Sequence, residues 1–488
     1  MTALALMLPA QLGHVWIMIA CALLVILLAS TERVSSAGLT VFATIAAGAA
    51  AVAGMQTLAA STNPVILCSG TVIVDRAAVT CSIVCALCTA AVLATTLGGN
   101  SISRSVERHF TGLLLLTAAS LMLAAHAHHL AVLLVATESA ALGLAALLGL
   151  GRAAARGSEA ASKAVVVGAV AFGLASFGMA LIYGGSGGIM NYGGLTAAAA
   201  KGPSAVATAG AFLVVAAFLF RLGAAPFHMA APDLLDGAPL PAAMFSVSAF
   251  RVCFAVAMLR LLQTGFFNIA TTADVTGMAK YVAWAAAASM LIGAVGAVRQ
   301  QHLKRLLAYL SISQLGFALL AMVALSQNAP AAMMAVGACL LSPAVALLVA
   351  FAALTYLSSA HDGNPFVDDL TGLARQRPLL PFALAIAMLA LTGMPFTVGF
   401  SGLFVTLLSS FSTPLMMPLA VVGLVAFLIG LYPTFRLIVA MYFREPAHVW
   451  PDLSPPGATT VLLAGTAALL LFGVVTNPWL AWARLLVP

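Results

Sequence analysis

Apolar runs long enough to cross a membrane recur along almost the whole chain, and they restrict its fold more than any other feature. Of its 488 residues, 63% are hydrophobic and only 7% are charged, whereas soluble domains are about 25% charged. Backbone groups in lipid must be hydrogen-bonded within the protein, so runs of about 20 apolar residues predict transmembrane α-helices. A soluble domain is excluded, and we assign the net charge of +7 to cytoplasmic loops and not to nucleic-acid binding.

About fourteen spans of this length can be read from the sequence. They lie near residues 12–30, 36–60, 77–98, 110–127, 130–150, 164–184, 205–222, 239–264, 279–298, 304–326, 330–357, 379–410, 416–443 and 458–476. Two spans carry proline-containing breaks, GAAPFH at 223–228 and GMPFTVGF at 393–400. Broken helices at matching places, marked by Pro226 and Pro395, predict two repeats of about five helices each.

Basic residues concentrate in alternate loops, which predicts the orientation. These loops hold Arg33, Arg104, Arg108, Arg152, Arg156, Arg299, Lys304, Arg305, Arg375, Arg377 and Arg444. The positive-inside rule places them in the cytoplasm, and an even number of spans then places both termini outside. The first residues lack the basic region of a signal peptide, so the first apolar helix is expected to remain.

Four charged residues fall inside predicted spans and are the strongest candidates for a functional site. They are Glu138, Lys163, Arg221 and Arg251, and the last two flank the segment RLGAAPFHMAAPDLLDGAPLPAAMFSVSAFR. A charge at mid-membrane costs about 2.5–3.5 kcal/mol on insertion scales. Their position beside a broken helix favours a polar path for ions, and the alternative is a set of ion pairs that only orders the helices.

Other polar residues have simpler interpretations. Arg260 lies near the end of its helix, where its side chain can reach the interface. His126, His128 and His129 share a short predicted outer loop, and we interpret them as solvated and not as a metal site. Cys81, Cys85 and Cys88 share one helix face and are expected to be packing residues without disulfides. No metal site, redox motif or nucleotide-binding motif is predicted.

Several ordered motifs are similar to a known family over about residues 75–445. They are TES at 137–139, SKAVVVGAVAFGLASFGMALIYGGSG at 162–187, AAPFH and PDLLDGAPLPAAMFSVSAFR within 224–251, QQHLKRLLAYLSISQLGF at 300–317, DLTGLARQRPLL at 369–380 and LTGMPFTVGFSGLF at 391–404. The sequence resembles the antiporter-like membrane subunits of respiratory complex I, most closely subunit N. That resemblance implies an all-α membrane fold of fourteen helices with two inverted five-helix repeats, each containing a broken helix.

The resemblance also implies a proton path along buried ionisable groups. Glu138 and Lys163 match the family's fifth-helix glutamate and sixth-helix lysine, while Arg221 and Arg251 stand where lysines are usual. The implied path further includes His228 and Lys304. Leu403 stands near the place of the family's twelfth-helix lysine. Arginine stays protonated, so it supplies fixed charge and cannot carry protons as a buried lysine can.

The hypothesis from sequence is a proton-translocating subunit of a bacterial NADH–quinone oxidoreductase, in the inner membrane with both termini periplasmic. The resemblance implies that flavin, iron–sulfur clusters and quinone belong to partner subunits and that this chain holds no redox site. Alternatives are an Mrp-type or hydrogenase-associated cation/proton antiporter subunit, and a structural subunit whose pumping has decayed. The expected divisions are 1–109 for three helices, 110–264 and 265–443 for the repeats, and 444–488 for the last helix.

Overall fold

The chain folds into a bundle of long apolar helices, as the hydropathy pattern predicts. The computed structural model describes residues 10–31, 34–60, 63–98, 102–151, 154–202, 204–264, 277–325, 330–357, 365–411, 416–446 and 455–488. Arg33 and Arg152, which contributed to the predicted orientation, lie outside these residues. Thirteen helices in the described ranges are long and apolar enough to cross a membrane.

The helices of the first half run in chain order as follows: α1 (Gly13–Ser30), α2 (Ser36–Ala60), α3 (Arg76–Thr96), α4 (Arg104–His126), α5 (Leu130–Gly149), α6 (Ala154–Gly185), α7 (Tyr192–Ala200), α8 (Ala205–Leu222), α9 (Ala230–Gly237), α10 (Leu240–Phe245) and α11 (Arg251–Leu262). A 3₁₀ turn at Phe227–Met229 joins α8 to α9, and a π-helical turn at Ser246–Phe250 joins α10 to α11.

The second half continues with helices α12 (Gly277–Val298), α13 (Leu303–Ala324), α14 (Pro330–Leu357), α15 (Leu373–Gln376), α16 (Leu379–Thr392), α17 (Val398–Phe411), α18 (Met417–Phe443), α19 (Pro456–Val474) and α20 (Thr476–Arg484). The short apolar helices α16 and α17 together occupy the predicted broken span at 379–410. This helical architecture confirms the predicted fold class, while the inverted relation of the two repeats stays a prediction.

Two short strands were not predicted. β1 (Val65–Leu67) pairs antiparallel with β2 (Val72–Val74), with Val65 opposite Val74. Both strands are rich in β-branched residues, which favour extended backbone. They could not be predicted because an apolar run of three residues between two spans is too short to show a period.

The interior lies where the two halves meet. Helix α13 is buried along nearly its whole length, and α3, α14 and the continuous rod formed by α10, the π turn and α11 are also mostly buried. Only about a third of the residues of helices α1 and α19 are buried, as expected of helices facing lipid. Small residues allow the closest approaches: Gly178 of α6 and Gly210 of α8 lie so close that a Cβ at either would meet the other's carbonyl oxygen within 2.7 Å.

Candidate functional site

The first break in the helices places a charged residue beside irregular backbone. Helix α8 ends at Gly223, whose φ of 69° lies in the left-handed region, and Arg221 stands in the last turn. Glycine adopts this conformation at no steric cost. Beyond it the backbone N–H of Ala225 donates to Ser289 Oγ of α12 at 2.8 Å. A helix of the second half therefore accepts a backbone hydrogen bond that the broken helix cannot satisfy itself.

Arg221 and Glu138 form an ion pair at this break. Arg221 Nη2 donates to Glu138 Oε2 of α5 and to the Gly168 carbonyl of α6, the latter at 3.0 Å. The two side chains are only 12% and 20% exposed. A Cβ on Gly168 would lie 3.1 Å from Arg221 Nη1, so the glycine makes room for the guanidinium. One arginine nitrogen therefore joins three helices of the first half.

Arg251 lies between two cavities at the start of α11. The larger has a volume of about 100 Å³ and is lined by Arg221, Arg251, Gly168 and Ala164 among others. The smaller has about 10 Å³ and is lined by Arg251 with Ser311 and Gln314 of α13. Since about 10–15 Å³ holds one water, the larger cavity has room for several. The π-helical turn before Arg251 is the kind of irregularity that often marks functional sites.

Lys163 is separated from the Glu138–Arg221 pair. Its Nζ lies 2.7 Å from Glu159 and 3.4 Å from Asp233 of α9. Arg305 of α13 contacts the same Asp233 at 2.6 Å and Asp236 at 3.3 Å. We call these five half-exposed or exposed residues the inner charge cluster. It connects the broken helix of the first half with α13 of the second half.

His228 lies just before the start of α9, and Lys304 contacts the end of α9. Lys304 is 4% exposed, and its Nζ donates to the carbonyls of Ala238 at 2.9 Å and Asp236 at 3.4 Å, at the end of α9. A cation is favourable at this end of a helix. His228 is in the 3₁₀ turn, and its Nδ1 is buried with no hydrogen-bond partner among the described residues. Neither residue touches the Glu138–Arg221 pair.

The second break shares the left-handed glycine of the first but not its charge. Helix α16 ends at Gly393, whose φ of 82° is again left-handed, and Pro395 follows. Leu403 of α17 is 5% exposed and packs on this turn, where a Cβ on Gly393 would lie 2.9 Å from Leu403 Cδ1. Helices α16 and α17 contain no charged residue. An apolar side chain therefore fills this break.

The interpretation of Arg260 as an arginine that reaches the interface was wrong. Its side chain is 7% exposed and donates twice to Asp75, from Nη1 at 2.9 Å and from Nη2 at 2.8 Å. Asp75 also caps α3 by accepting from the Ala78 N–H at 2.8 Å. The sequence did not indicate this pair because the two residues are 185 positions apart.

The prediction of a solvated histidine loop was wrong for His126. This residue is fully buried at the end of α4, with Nδ1 2.8 Å from the Ile73 carbonyl oxygen and Nε2 3.2 Å from Ser82 Oγ. Its Nε2 also lies 3.0 Å from Nε2 of His14 in α1. Two histidines that are 112 positions apart gave no signal of this contact in the sequence.

Cys81, Cys85 and Cys88 are buried, as expected of packing residues. Cys81 Sγ lies 3.5 Å from Cys253 Sγ of α11, and both are free thiols. Within the residues that the structure describes, no group of three or more His, Cys, Asp or Glu side chains could hold a metal ion.

The fold and the site define an antiporter-like membrane protein, in which a buried ion pair and a hydratable cavity adjoin a broken helix. Residues 127–430 match the family model described as "NADH:quinone oxidoreductase/Mrp antiporter, TM". NADH-quinone oxidoreductase subunit N of Parvibaculum lavamentivorans is 32% identical over 361 residues, which are 74% of this chain and 72% of that protein. The chain therefore belongs to the NADH:quinone oxidoreductase/Mrp antiporter family of membrane proteins.

Solved structures show the same fold. A chain of respiratory complex I from Thermus thermophilus is 25% identical with a TM-score of 0.80, and the match covers 96% of this chain and 99% of that one. A chain of the Mrp complex from Dietzia sp. DQ12-45-1b has a TM-score of 0.83 at 18% identity, covering 98% and 97%. The resemblance stated from the sequence motifs is thereby confirmed.

Proposed function

We propose that this chain is the subunit N-like, proton-translocating membrane subunit of an NADH–quinone oxidoreductase. One observation carries the proposal: Arg221, which is paired with the largely shielded Glu138, lines a cavity with room for water at a broken helix. NADH oxidation and quinone reduction would take place on partner subunits, which would also hold the flavin and the iron–sulfur clusters. This chain would contribute ion movement alone.

In this proposal Glu138 is the titrating member of the central pair. Arginine stays protonated at any physiological pH, so Arg221 and Arg251 supply fixed positive charge. A carboxylate beside such a charge stays ionised while the pair is closed, and it can accept a proton when the pair opens. Water in the cavity would link Glu138 to Lys163 and the inner charge cluster, while His228 and Lys304 would border that route.

The second half would have a smaller part in proton movement. Leu403 fills the second break, and an apolar side chain there can neither hold nor release a proton. The small cavity beside Arg251, Ser311 and Gln314 would then be the limit of the hydrated path. Pro226 and Pro395 would mark equivalent breaks in two inverted repeats at 110–264 and 265–443, between the helices of 1–109 and the last helix in 444–488.

The orientation follows from the charges of the loops. We place the inner charge cluster on the cytoplasmic side of a bacterial inner membrane and both termini on the periplasmic side. The side chains His14 and His126 then lie near the outer surface. The lipid bilayer surrounds the exposed apolar faces, and the other membrane subunits of the complex are the expected protein partners.

A structural subunit with decayed pumping is the second candidate. Arg221, Arg251 and Leu403 favour it, because each stands where a titratable lysine would serve a proton relay. An Mrp-type antiporter or a hydrogenase-associated subunit would share the fold. Purification from native membranes distinguishes these: co-purifying flavin and iron–sulfur subunits support the oxidoreductase, and antiporter subunits alone contradict it.

Replacing Glu138 tests the proposal directly. Glu138→Gln keeps the side-chain volume and a hydrogen-bond acceptor for Arg221 but removes the carboxylate, so the complex should assemble and move fewer protons per NADH oxidised. The measurement is the proton-to-NADH ratio in reconstituted vesicles at matched subunit content. Glu445→Gln is the control, because Glu445 is an exposed carboxylate beyond the end of α18. An unchanged ratio in Glu138→Gln supports the structural subunit instead.

A further inference from the structure

Two histidines that are not part of the proposed proton path meet inside the protein. His14 is the second residue of α1 and His126 is the last residue of α4, and they are 1% and 0% exposed. Their Nε2 atoms are 3.0 Å apart. Ionisable residues within membrane-spanning segments are costly and are functional-site candidates by default.

The hydrogen bonds of His126 determine where protons sit in the neutral pair. A carbonyl oxygen only accepts, so His126 Nδ1 carries the hydrogen that it donates to Ile73 at 2.8 Å. In a neutral ring its Nε2 is then the acceptor of the hydrogen that His14 Nε2 donates at 3.0 Å, and the Ser82 hydroxyl lies 3.2 Å from the same nitrogen. His14 Nδ1 is left as the bare, basic nitrogen of the pair.

The bare nitrogen of His14 takes no part in these hydrogen bonds. His14 Nδ1 is buried and has no hydrogen-bond partner within the described residues. A buried polar atom without a partner is uncommon and requires an explanation. One further proton fits here without disturbing any existing contact: both Nδ1 atoms then carry hydrogen, and the single Nε2 hydrogen is shared between the two rings.

Charged and titratable groups from the neighbouring elements surround the pair. They are Asp75 before α3, Arg260 of α11, His128 in the loop after α4, and Tyr192 at the start of α7. Asp75 and Arg260 interact electrostatically with His126 with opposite sign and are bonded to each other, so their charges largely cancel. Nδ1 of His128 and the hydroxyl of Tyr192 are also buried without partners in the described part of the chain.

We propose that the His14–His126 pair binds one proton on the predicted outer side of the membrane, with His14 Nδ1 as the atom that accepts it. Its position places it where a proton that has crossed the first half would be held before release. This role rests on the proposed function, whereas the binding of the proton can be tested without any pumping assay. If the contact only joined α1 to α4, the pair would stay neutral and its hydrogen bond would be its whole function.

Hydrogen exchange at the histidine C2 position, measured by mass spectrometry on the purified complex, reports the titration of each ring. We expect His14 to show one inflection with pH in the wild-type complex. In His126→Gln the inflection should move to lower pH, because the glutamine amide can hold Ile73 and His14 but shares the proton less well than imidazole. His109→Gln, on an exposed site of the same helix α4, should leave it unchanged.

A flat exchange rate for His14 in the wild-type complex overturns the inference, and this result needs no variant to assemble. The same inflection in wild type and His126→Gln also overturns it, because the proton would not be shared. The failure of the proposed function gives a different pattern: Glu138→Gln would pump normally while His14 still titrated.

Discussion

Arg221 holds a positive charge that no change near neutral pH removes, and this sets the chemistry of its surroundings. Its Nη2 alone contacts both Glu138 and the Gly168 carbonyl. The guanidinium therefore acts as a fixed charge at the meeting point of α5, α6 and α8. Under the proposed function, a proton that moves near it belongs to Glu138 or to water.

Asp75 and Arg260 form the other charge pair with little exposure, at 17% and 7%, and we expect it to support stability. Asp75→Asn should destabilise the protein by roughly 3–5 kcal/mol, because it leaves the buried guanidinium without its counter-charge. Adding Arg260→Met should recover much of that loss. Thermal unfolding of the purified subunit in detergent measures both. Asp368→Asn is the control, since Asp368 is 73% exposed and lies 3.8 Å from Arg444, so the expected change is about 0–1 kcal/mol.

The same pair gives a direction for the dependence of stability on pH. Burial alone would raise the pKa of Asp75, but the Arg260 guanidinium and the Ala78 N–H hold that pKa below its ordinary value. The contribution of ionised Asp75 to the unfolding free energy is therefore fully present above the unfolded-state pKa of about 3.9. It is lost as the pH falls through the lower pKa of the folded state. Asp75→Asn should remove this acid-sensitive part of the unfolding free energy. An equal acid dependence in the variant would contradict the assignment.

The two breaks share a helix-ending glycine but differ in the side chains beside it. Gly223 and Gly393 both end a helix in the left-handed conformation, and a proline follows each within three residues. Arg221 lies in the last helical turn before the first break, while Leu403 packs on Gly393 at the second. The left-handed helix end depends on the glycine, so it is present both beside a charged side chain and beside an apolar one.

Gly223→Ala should therefore destabilise the first break. The left-handed conformation costs a residue with a Cβ about 1–2 kcal/mol, and the new methyl would lie 3.0 Å from Ala231 Cβ. Gly173→Ala in α6 is the matched control, because its Cβ would meet nothing within 4 Å and alanine favours helix. The temperature of unfolding should fall for the first variant and hold or rise for the second. Equal temperatures would mean that the turn relaxes freely.

The sequence predicted the existence of the elements better than the partners of their side chains. Hydropathy located the spans because every apolar run in lipid must satisfy its own backbone. It also identified Glu138 and Arg221, since charges within spans are rare. The pairing of Arg260 with Asp75 could not be predicted from the sequence, because tertiary packing brings together residues that are 185 positions apart. Lys163 was predicted to share a proton path with Glu138, and the sequence did not indicate its contacts with Asp233 and Glu159.

At the scale of the whole molecule, the orientation can be tested by chemical labelling. Single cysteines at Ser158 and Ala200, both exposed near opposite ends of the α6–α8 region, should react with an impermeant thiol reagent from opposite sides of the membrane. Native cysteines must be removed first, above all Cys68, which is exposed. Labelling of both sites from one side would contradict the predicted alternation of spans.

The central claim is that the first half moves protons around a fixed charge at position 221. It is tested most directly by the proton-to-NADH ratio in vesicles for wild type, Arg221→Lys and Arg221→Met at equal assembly. A single lysine nitrogen can replace the single arginine nitrogen that contacts Glu138 and Gly168, so we predict that Arg221→Lys keeps or raises the ratio. Arg221→Met should lower it, because an unpaired buried carboxylate takes up a proton and becomes neutral. Three equal ratios would contradict the account, and loss of pumping in Arg221→Lys would show that the guanidinium itself is required.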